Sequence, residues 1–280
     1  MLPCEITSFV SEQFVWGKIL REGKDISGYK IVARSSGLSD KVCAEVLSRT
    51  GAGVSQAILR GRRAYAFFHL SSGQVVFSCT QRSPKPEHHN RHYLQTHFLV
   101  CAQEQFELIQ ADLPFLANQI GEIRIFEHEE ELDTFQVAYQ RQTSIESDLR
   151  AVAKQYPPEF LINTYRALKG NHPIAIFDSS PNELKMLVLF QLLFLLTPKA
   201  ERQFLTFASM SSGGDVGKYS FKFKVNPTGI LKLPHIVIRL DDAKIVPPNL
   251  VNQLSNLGVS HLRSKLEELT GEAITLRLDS

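Results

Sequence analysis

Cysteine is scarce in this chain, and the few cysteines it has exclude a disulfide-stabilised fold. The four cysteines stand at positions 4, 43, 79 and 101, far apart and in apolar surroundings. No Cys-x-x-Cys pair occurs, whereas small secreted domains use a much denser framework. We therefore expect buried thiols in a reducing cytosol.

Long apolar runs are also missing. The longest apolar stretch covers residues 184–196 and is interrupted by Lys185 and Gln191. A helix needs about 20 apolar residues to cross a hydrocarbon core of about 30 Å, so this stretch is too short to span a membrane. The first residues, MLPCEI, lack the charged and apolar regions of a signal peptide. The sequence predicts a cytoplasmic protein in which this stretch is a buried helix.

The chain has no excess of charge of one sign. Its formal net charge of +2 provides no whole-protein field that would attract nucleic acid or an anionic membrane. Any charged surface that binds a partner must therefore be local.

The glycine-rich loops that hold phosphate groups are absent. Neither G-x-G-x-x-G nor G-x-x-x-x-G-K-[ST] occurs, and the sequence SSGGD at residues 211–215 predicts only a turn. No serine stands in a G-x-S-x-G elbow, and no cysteine has the flanks of a known protease nucleophile. We expect neither a nucleotide nor any other cofactor to be bound by this chain itself.

The first 125 residues predict a mainly antiparallel β domain with helices, as part of an α+β fold. Ser39 can cap a helix over residues 41–48. The loop of Ser71, Ser72 and Gly73 lies between two β-prone runs, which predicts a hairpin. The predicted strands cover residues 14–20, 29–33, 64–70, 74–80 and 93–101, and a further helix covers residues 104–109.

A change of pattern predicts a second domain. Residues 126–141 include the acidic run HEEE and show no packed periodicity, which indicates an exposed connection. We therefore place an N-terminal domain at 1–125, a connection at 126–142 and a C-terminal α/β domain with a buried apolar helix at 143–280. In that last domain, helices are predicted at 144–155, 158–168, 181–196 and 249–269, and strands at 172–177, 204–209, 219–225 and 236–240.

One segment is rich in histidine. Residues 88–100 read HHNRHYLQTHFLV and hold four of the nine histidines of the chain. His88 and His92 have the i, i+4 spacing of a helical metal site, but His89 stands where zinc proteases carry a glutamate. No carboxylate or cysteine nearby completes four ligands. We interpret His88, His89 and His92 as residues of a solvated loop and expect no metal.

His97 differs from these three because it lies inside the apolar run, so we expect it to be at least half-buried and hydrogen-bonded. The alternative is a histidine-dependent hydrolase or nuclease that uses His92 and His97, with or without a metal. No nucleophile or orienting acid stands nearby in the sequence to complete such a site.

Basic residues form two clusters that could contact phosphate groups. One consists of Arg60, Arg62 and Arg63, and the other of Lys218, Lys222 and Lys224. The simpler interpretation places the arginines in the loop before the hairpin and the lysines on the solvated side of a strand. Lysines on a strand also discourage pairing with the edge of another sheet. No aromatic residue stands among the lysines on the lysine face of this strand, so stacking with single-stranded nucleic acid is not supported. A nucleic-acid-binding subunit is therefore the weaker alternative.

Three segments resemble a known family. Residues 28–39 read GYKIVARSSGLS, residues 93–100 read YLQTHFLV, and residues 168–209 hold a strand, an apolar helix, LTP and FLTF in that order. These patterns resemble the N-terminal and middle regions of the bacterial GTPase-associated proteins. The chain departs from the family in having HHNR where a glycine-rich loop is usual, and in lacking the long C-terminal region.

The resemblance implies a binding role and supplies no catalytic residues. Members of that family are thought to be non-catalytic partners of GTPases or other NTPases in bacterial conflict systems. We therefore expect a non-enzymatic adaptor or regulatory subunit for a GTPase, an AAA-type ATPase or an effector protein encoded nearby. The exposed candidates for contact with that partner are Arg60, Arg62, Arg63, His88, His89 and Arg91.

Overall fold

The computed structural model describes most of the first 140 residues and parts of the remainder. The described residues are 7–50, 58, 61–87, 91–121, 124–140, 164, 174–177, 183–197, 199–209, 221–224, 236–239 and 244–246. They combine helices with a sheet that is mainly antiparallel. The fold class is α+β, as the sequence predicts.

Strand β1 (Thr7–Gly17) lies at the centre of the N-terminal part of the sheet. It begins before the predicted start at residue 14 because Phe9 and Ser11 already point inward with the period of a strand, at 0% and 2% exposure. The chain then turns at Glu22 and Gly23, which both have positive φ. This turn joins two short strands, β2 (Leu20–Arg21) and β3 (Lys24–Asp25), and leads to β4 (Lys30–Ser35).

Helix α1 (Asp40–Arg49) begins where the sequence predicts. The Ser39 side chain accepts a hydrogen bond from the Val42 N–H and so caps the helix. Cys43 and Val46 are its buried residues, and they pack against Phe14 and Phe98 of the sheet.

The predicted hairpin is confirmed. Its strands are β5 (Ala64–His69) and β6 (Val75–Arg82), and Gly73 has the positive φ, 81°, that a tight loop favours. Strand β7 (Leu94–Cys101) follows, antiparallel to both β6 and β1. Helix α2 (Gln103–Leu108) matches the helix predicted at 104–109.

Three further elements were not predicted. Helix α3 (Leu113–Gln119) is capped by Asp112, which accepts from the Phe115 N–H. Strands β8 (Glu130–Leu132) and β9 (Phe135–Tyr139) occupy the segment that we expected to be an exposed connection. Strand β8 pairs with β4, and β9 pairs with the first half of β1. The acidic side chains of β8 do not prevent this, because the pairing is made by backbone groups.

The C-terminal part contributes parallel strands and one apolar helix. The elements are β10 (Ile174–Phe177), α4 (Glu183–Leu196), a 3-10 helix (Lys199–Phe204), β11 (Phe207–Ala208), β12 (Phe221–Lys224), β13 (Ile236–Arg239) and β14 (Lys244–Val246). Strand β12 pairs in parallel with β10 and with β11. Strand β10 also pairs in parallel with β13, and β14 pairs antiparallel with β13. The helices predicted at 144–155, 158–168 and 249–269 lie outside the described residues.

These strands form one continuous sheet in the order β14-β13-β10-β12-β11-β5-β6-β7-β1-β4-β8, with β9 attached to β1. The two parts of the chain meet where β11 pairs antiparallel with β5. Two hydrogen bonds extend this junction, from the Tyr65 N–H to Ser209 Oγ at 2.7 Å and from the Ser209 N–H to the Tyr65 carbonyl at 2.8 Å.

Each face of the sheet carries a core. The α1 face includes Phe14 and Phe98 and packs on α1. The α4 face includes Phe67, Phe77 and Leu99 and packs on α2, α3 and α4. Residues from both predicted domains therefore share a sheet and a core, while the domain bounds themselves stay a prediction. No helix in the described part of the chain is long and apolar enough to cross a membrane.

Candidate functional site

Three of the predicted contact arginines lie at the same end of the sheet. Strand β5 starts, β6 ends and β7 starts at this end, because Ala64 pairs with Thr80 and Thr80 pairs with Thr96. We call this surface the arginine end, and it consists of Arg62, Arg63, Arg82 and Arg91. Arg62, Arg82 and Arg91 are exposed and Arg63 is partly exposed. Arg60, His88 and His89 lie outside the described residues.

Arg82 was missed by the sequence reasoning. The register of the predicted hairpin was the signal that could have found it, because the strand that pairs with Ala64 ends at Arg82. In an antiparallel pair, the residues just before the first strand lie close to the last residue of its partner strand. Arg62 and Arg63 precede β5, and Arg82 ends β6.

The loop that leads to β7 is held by hydrogen bonds of Ser83. The Ser83 N–H donates to the Tyr93 carbonyl at 2.8 Å, and the Tyr93 N–H donates to Ser83 Oγ at 3.3 Å. His92 Nδ1 lies 2.8 Å from the Ser83 carbonyl oxygen. Since a carbonyl oxygen only accepts, His92 Nδ1 carries a proton and donates it. His92 therefore closes the loop and is half-buried, rather than solvated as expected.

An ion cluster anchors this loop to the strands beside it. Lys18 Nζ lies 2.8 Å from Asp25 and 2.7 Å from Glu87, and its side chain is only 12% exposed. It also lies 5.0 Å from the ring centroid of Tyr29. Burial lowers the pKa of Lys18, but the hydrogen bonds and charges of Asp25 and Glu87 outweigh burial and hold that pKa above its ordinary value. The cluster joins the end of β1, the β3 turn and the histidine-containing loop.

His97 lies on the α4 face of β7, in a row with Val15 of β1 and Cys79 of β6. Its Nε2 atom is 2.8 Å from Gln13 Oε1. The Gln13 amide is itself oriented, because its Nε2 donates to the Asp133 carbonyl at 2.7 Å. Gln13 Oε1 must then accept from His97, so Nε2 of the neutral imidazole carries the proton and Nδ1 has a free lone pair. His97 is thus half-buried and hydrogen-bonded, as the sequence predicts.

Burial lowers the pKa of His97 to about 4. The imidazole is therefore neutral at pH 7 and a much weaker base than a free histidine. Efficient general bases have a pKa near the working pH, so this environment suits a hydrogen-bonding role better than proton abstraction.

A cavity of about 160 Å³ opens beside His97. Strands β1, β6 and β7 form its floor, and Gly121, Arg124, Phe126 and Leu132 line the side opposite these strands. Gln95 reaches the cavity by packing over Gly17, where a Cβ would lie 3.2 Å from Gln95 Cγ. The lining residues are Gln13, Val15, Cys79, Gln81, Gln95, His97, Gly121, Arg124, Phe126 and Leu132. His92 is not among them, so the two histidines of the enzyme hypothesis do not share this cavity.

The described thiols are buried. Cys43, Cys79 and Cys101 are not in disulfide bonds. Burial raises the pKa of Cys43 and that of Cys101, the latter to about 12. Thiols of this kind react slowly because the thiolate is the nucleophile. Cys4 lies outside the described residues.

Two further possibilities raised by the sequence are a metal site and a site at the lysine cluster, and neither forms a second site among the described residues. Within the ranges given above, no three histidine, cysteine, aspartate or glutamate side chains are arranged to hold a metal ion. Strand β12 carries Lys222 and Lys224 but is paired on both sides, with β10 and β11. The idea that these lysines protect a sheet edge is therefore wrong, and Lys218 lies outside the described residues.

Two comparisons with known proteins gave no match. No family model matches the chain. No curated protein matches it either.

Proposed function

We propose that this protein is a non-catalytic adaptor or regulatory subunit that binds a GTPase, an AAA-type ATPase or an effector protein in a bacterial conflict system. The family resemblance motivates the choice of partner. The first resembling segment covers β4 and the cap of α1, and the second covers most of β7. Both strands pair with β1. The third segment covers β10, α4 and β11. The resembling patterns therefore fall on the two strands that flank β1 and on a segment that includes β11, the strand that joins the two parts of the sheet.

The observation that carries a binding role is the arginine end. Arg62 is separated from Arg82 and Arg91 by the hairpin of β5 and β6, yet strand pairing places these exposed residues at the same end of three neighbouring strands. Guanidinium groups bind carboxylates through paired hydrogen bonds, and arginine is enriched in protein interfaces. A partner with an acidic surface fits this end.

The enzyme alternative is less well supported. His92 donates to a backbone carbonyl and His97 donates to an amide oxygen, so neither is oriented by a carboxylate in the manner of a catalytic base. The alternative predicts hydrolase or nuclease activity that His97→Ala abolishes. Elemental analysis and activity assays on the unmutated protein test it, and measurable turnover would overturn the adaptor proposal.

Charge reversal at the arginine end tests the proposal. The full chain is co-purified with the products of neighbouring genes, and the Kd of the complex is then measured for Arg62→Glu and Arg91→Glu. Each change is expected to weaken binding by roughly tenfold, because it places like charges across the interface. Lys41→Glu makes the same charge change on the exposed side of α1 and serves as the matched control.

Three outcomes would overturn the proposal. One is the absence of any stable complex with a neighbouring gene product. Another is an equal loss of affinity in Lys41→Glu. The last is salt-sensitive binding to nucleic acid that weakens in Arg62→Glu and Arg63→Glu, which would replace the adaptor with the nucleic-acid-binding subunit.

A further inference from the structure

The cavity beside His97 contains an acceptor that no protein group uses. Nε2 of His97 donates to Gln13, which leaves the lone pair of Nδ1 without a hydrogen-bond donor in the described part of the chain. In the described residues, six side-chain nitrogen and oxygen atoms are enclosed by protein atoms and have no hydrogen-bond partner. His97 Nδ1 is not one of these enclosed atoms. Because His97 lines the cavity, we infer that its free acceptor faces this space.

Gln95 provides a second unsatisfied acceptor. Its side chain is 5% exposed, and its Oε1 atom has no hydrogen-bond partner among the described residues. This oxygen is enclosed by protein atoms, so His97 Nδ1 is the acceptor that a ligand in the cavity would use. A group that donates a hydrogen bond is therefore favoured beside His97.

The rest of the lining suits a flat ring with an acceptor at one edge. Val15, Phe126 and Leu132 supply apolar surface. Arg124 is ion-paired with Glu130 through Nη2, and its guanidinium, which lies 4.9 Å from the ring centroid of Phe126, has further N–H groups that can donate. An apolar cavity of about 150 Å³ accommodates benzene, so a volume of about 160 Å³ admits a ring of six members.

We propose that this cavity binds a single-ring heterocycle with a cyclic amide edge, the class that includes the pyrimidine base uracil. The amide N–H of the ring donates to His97 Nδ1, and a ring carbonyl accepts from Arg124. The ring faces pack against Val15 and Phe126. This site does not depend on the adaptor role and would add a small-molecule signal to it.

The cavity could alternatively hold only water. At about 30 Å³ for each molecule, its volume corresponds to about five waters. A cavity that binds the heterocycle and a cavity that holds only water can be distinguished with a second ligand. That ligand has the same ring but lacks its N–H groups.

Nuclear magnetic resonance of the full chain, labelled in histidine, separates these cases. Uracil is expected to shift the Nδ1 and Cε1 resonances of His97 and to leave those of His92 unchanged. 1,3-Dimethyluracil has the same ring without its N–H donors, so it is expected to bind at least about tenfold more weakly. Uridine monophosphate, as a third ligand, shows whether the natural source is the free base or a nucleotide.

Variants give an independent readout. His97→Phe removes the acceptor and keeps an aromatic ring, and it is expected to abolish the uracil-dependent rise in melting temperature. His92→Phe is the matched control and should retain that rise. An unchanged His97 resonance in the unmutated protein, or an equal response to uracil and 1,3-dimethyluracil, would overturn the proposal in favour of a water-filled cavity.

Discussion

At the scale of single residues, the chemistry of His97 depends on neighbours that lie far away in the sequence. Gln13 is 84 residues away and accepts the Nε2 proton, and the Asp133 carbonyl orients Gln13 in turn. Burial suppresses the charged form of the ring and lowers its pKa to about 4. A second histidine, His69, is 7% exposed, and burial lowers its pKa to about 4 as well.

Acidification is therefore expected to destabilise the protein through these two histidines. An unfolded histidine titrates near pH 6.5, so between about pH 6.5 and pH 4 the unfolded chain binds protons that the folded chain does not. The stabilising contribution is complete above this window and is lost as the pH falls through it. The expected loss is roughly 2 kcal/mol per histidine between pH 7 and pH 5. Urea denaturation at the two pH values measures it.

Carboxylates also contribute to any loss at low pH, so a comparison between variants isolates the histidine effect. His97→Gln is expected to lose less stability than the unmutated protein on going from pH 7 to pH 5. The same pH dependence in both proteins would contradict the prediction.

At the scale of elements, long-range contacts decide which segments become strands and how loops are held. Phe135, Val137 and Tyr139 pack on the core side of β9, although the acidic sequence before them suggests an exposed connection. The loop between β6 and β7 has a polar sequence, yet Lys18 fixes it by contacting Glu87 from another part of the chain.

Removing Lys18 is expected to destabilise this arrangement. In Lys18→Met, the carboxylates of Asp25 and Glu87 would remain partly buried without their shared cation. The loss of one partner from a buried ion pair costs about 3–5 kcal/mol, and the partial exposure of this cluster reduces the expected loss to about 2 kcal/mol. Chemical denaturation measures the change.

Lys24→Met provides the matched control, because Lys24 lies in the same turn and is exposed. Its free energy of unfolding is expected to change by less than about 0.5 kcal/mol. If the two variants are equally stable, the ion cluster is not an anchor of the loop.

At the scale of the whole molecule, the junction between β5 and β11 unites the two parts of the chain. Phe67 of β5 stacks with Phe106 of α2 at a centroid distance of 4.7 Å and contacts Phe190 and Phe194 of α4. Phe207 of β11 lies 4.8 Å from the Phe190 ring. The core on the α4 face therefore includes aromatic rings from both sides of the predicted domain boundary.

A substitution in the C-terminal part should consequently be detected in the N-terminal part. Phe207→Ala empties a fully buried position and is expected to lower stability by about 3–5 kcal/mol. The only tryptophan of the chain, Trp16, is in β1, so its fluorescence reports unfolding of the N-terminal strands. We expect its transition to shift together with the far-ultraviolet circular dichroism signal. An unchanged Trp16 transition would show that the two parts unfold as separate domains.

The local sequence was sufficient to predict part of this fold. Ser39 identifies the start of α1 because a serine cap acts on the next few residues, and Gly73 identifies the hairpin because the turn itself requires positive φ. The position of His97 within an apolar run was likewise enough to predict a half-buried, hydrogen-bonded side chain.

Only the tertiary structure determined the other features of the fold and of the candidate site. The identity of the His97 partner depends on segments far apart in the chain, and so does the placement of Arg82 at the same end as Arg62 and Arg91. The same holds for the lining of the cavity by Gly121, Arg124, Phe126 and Leu132. The sequence by itself determined elements whose caps, turns and periodicity are complete within a few residues. Their pairing depended on which distant surfaces could bury apolar side chains and satisfy backbone hydrogen bonds together, and no local pattern contains that information.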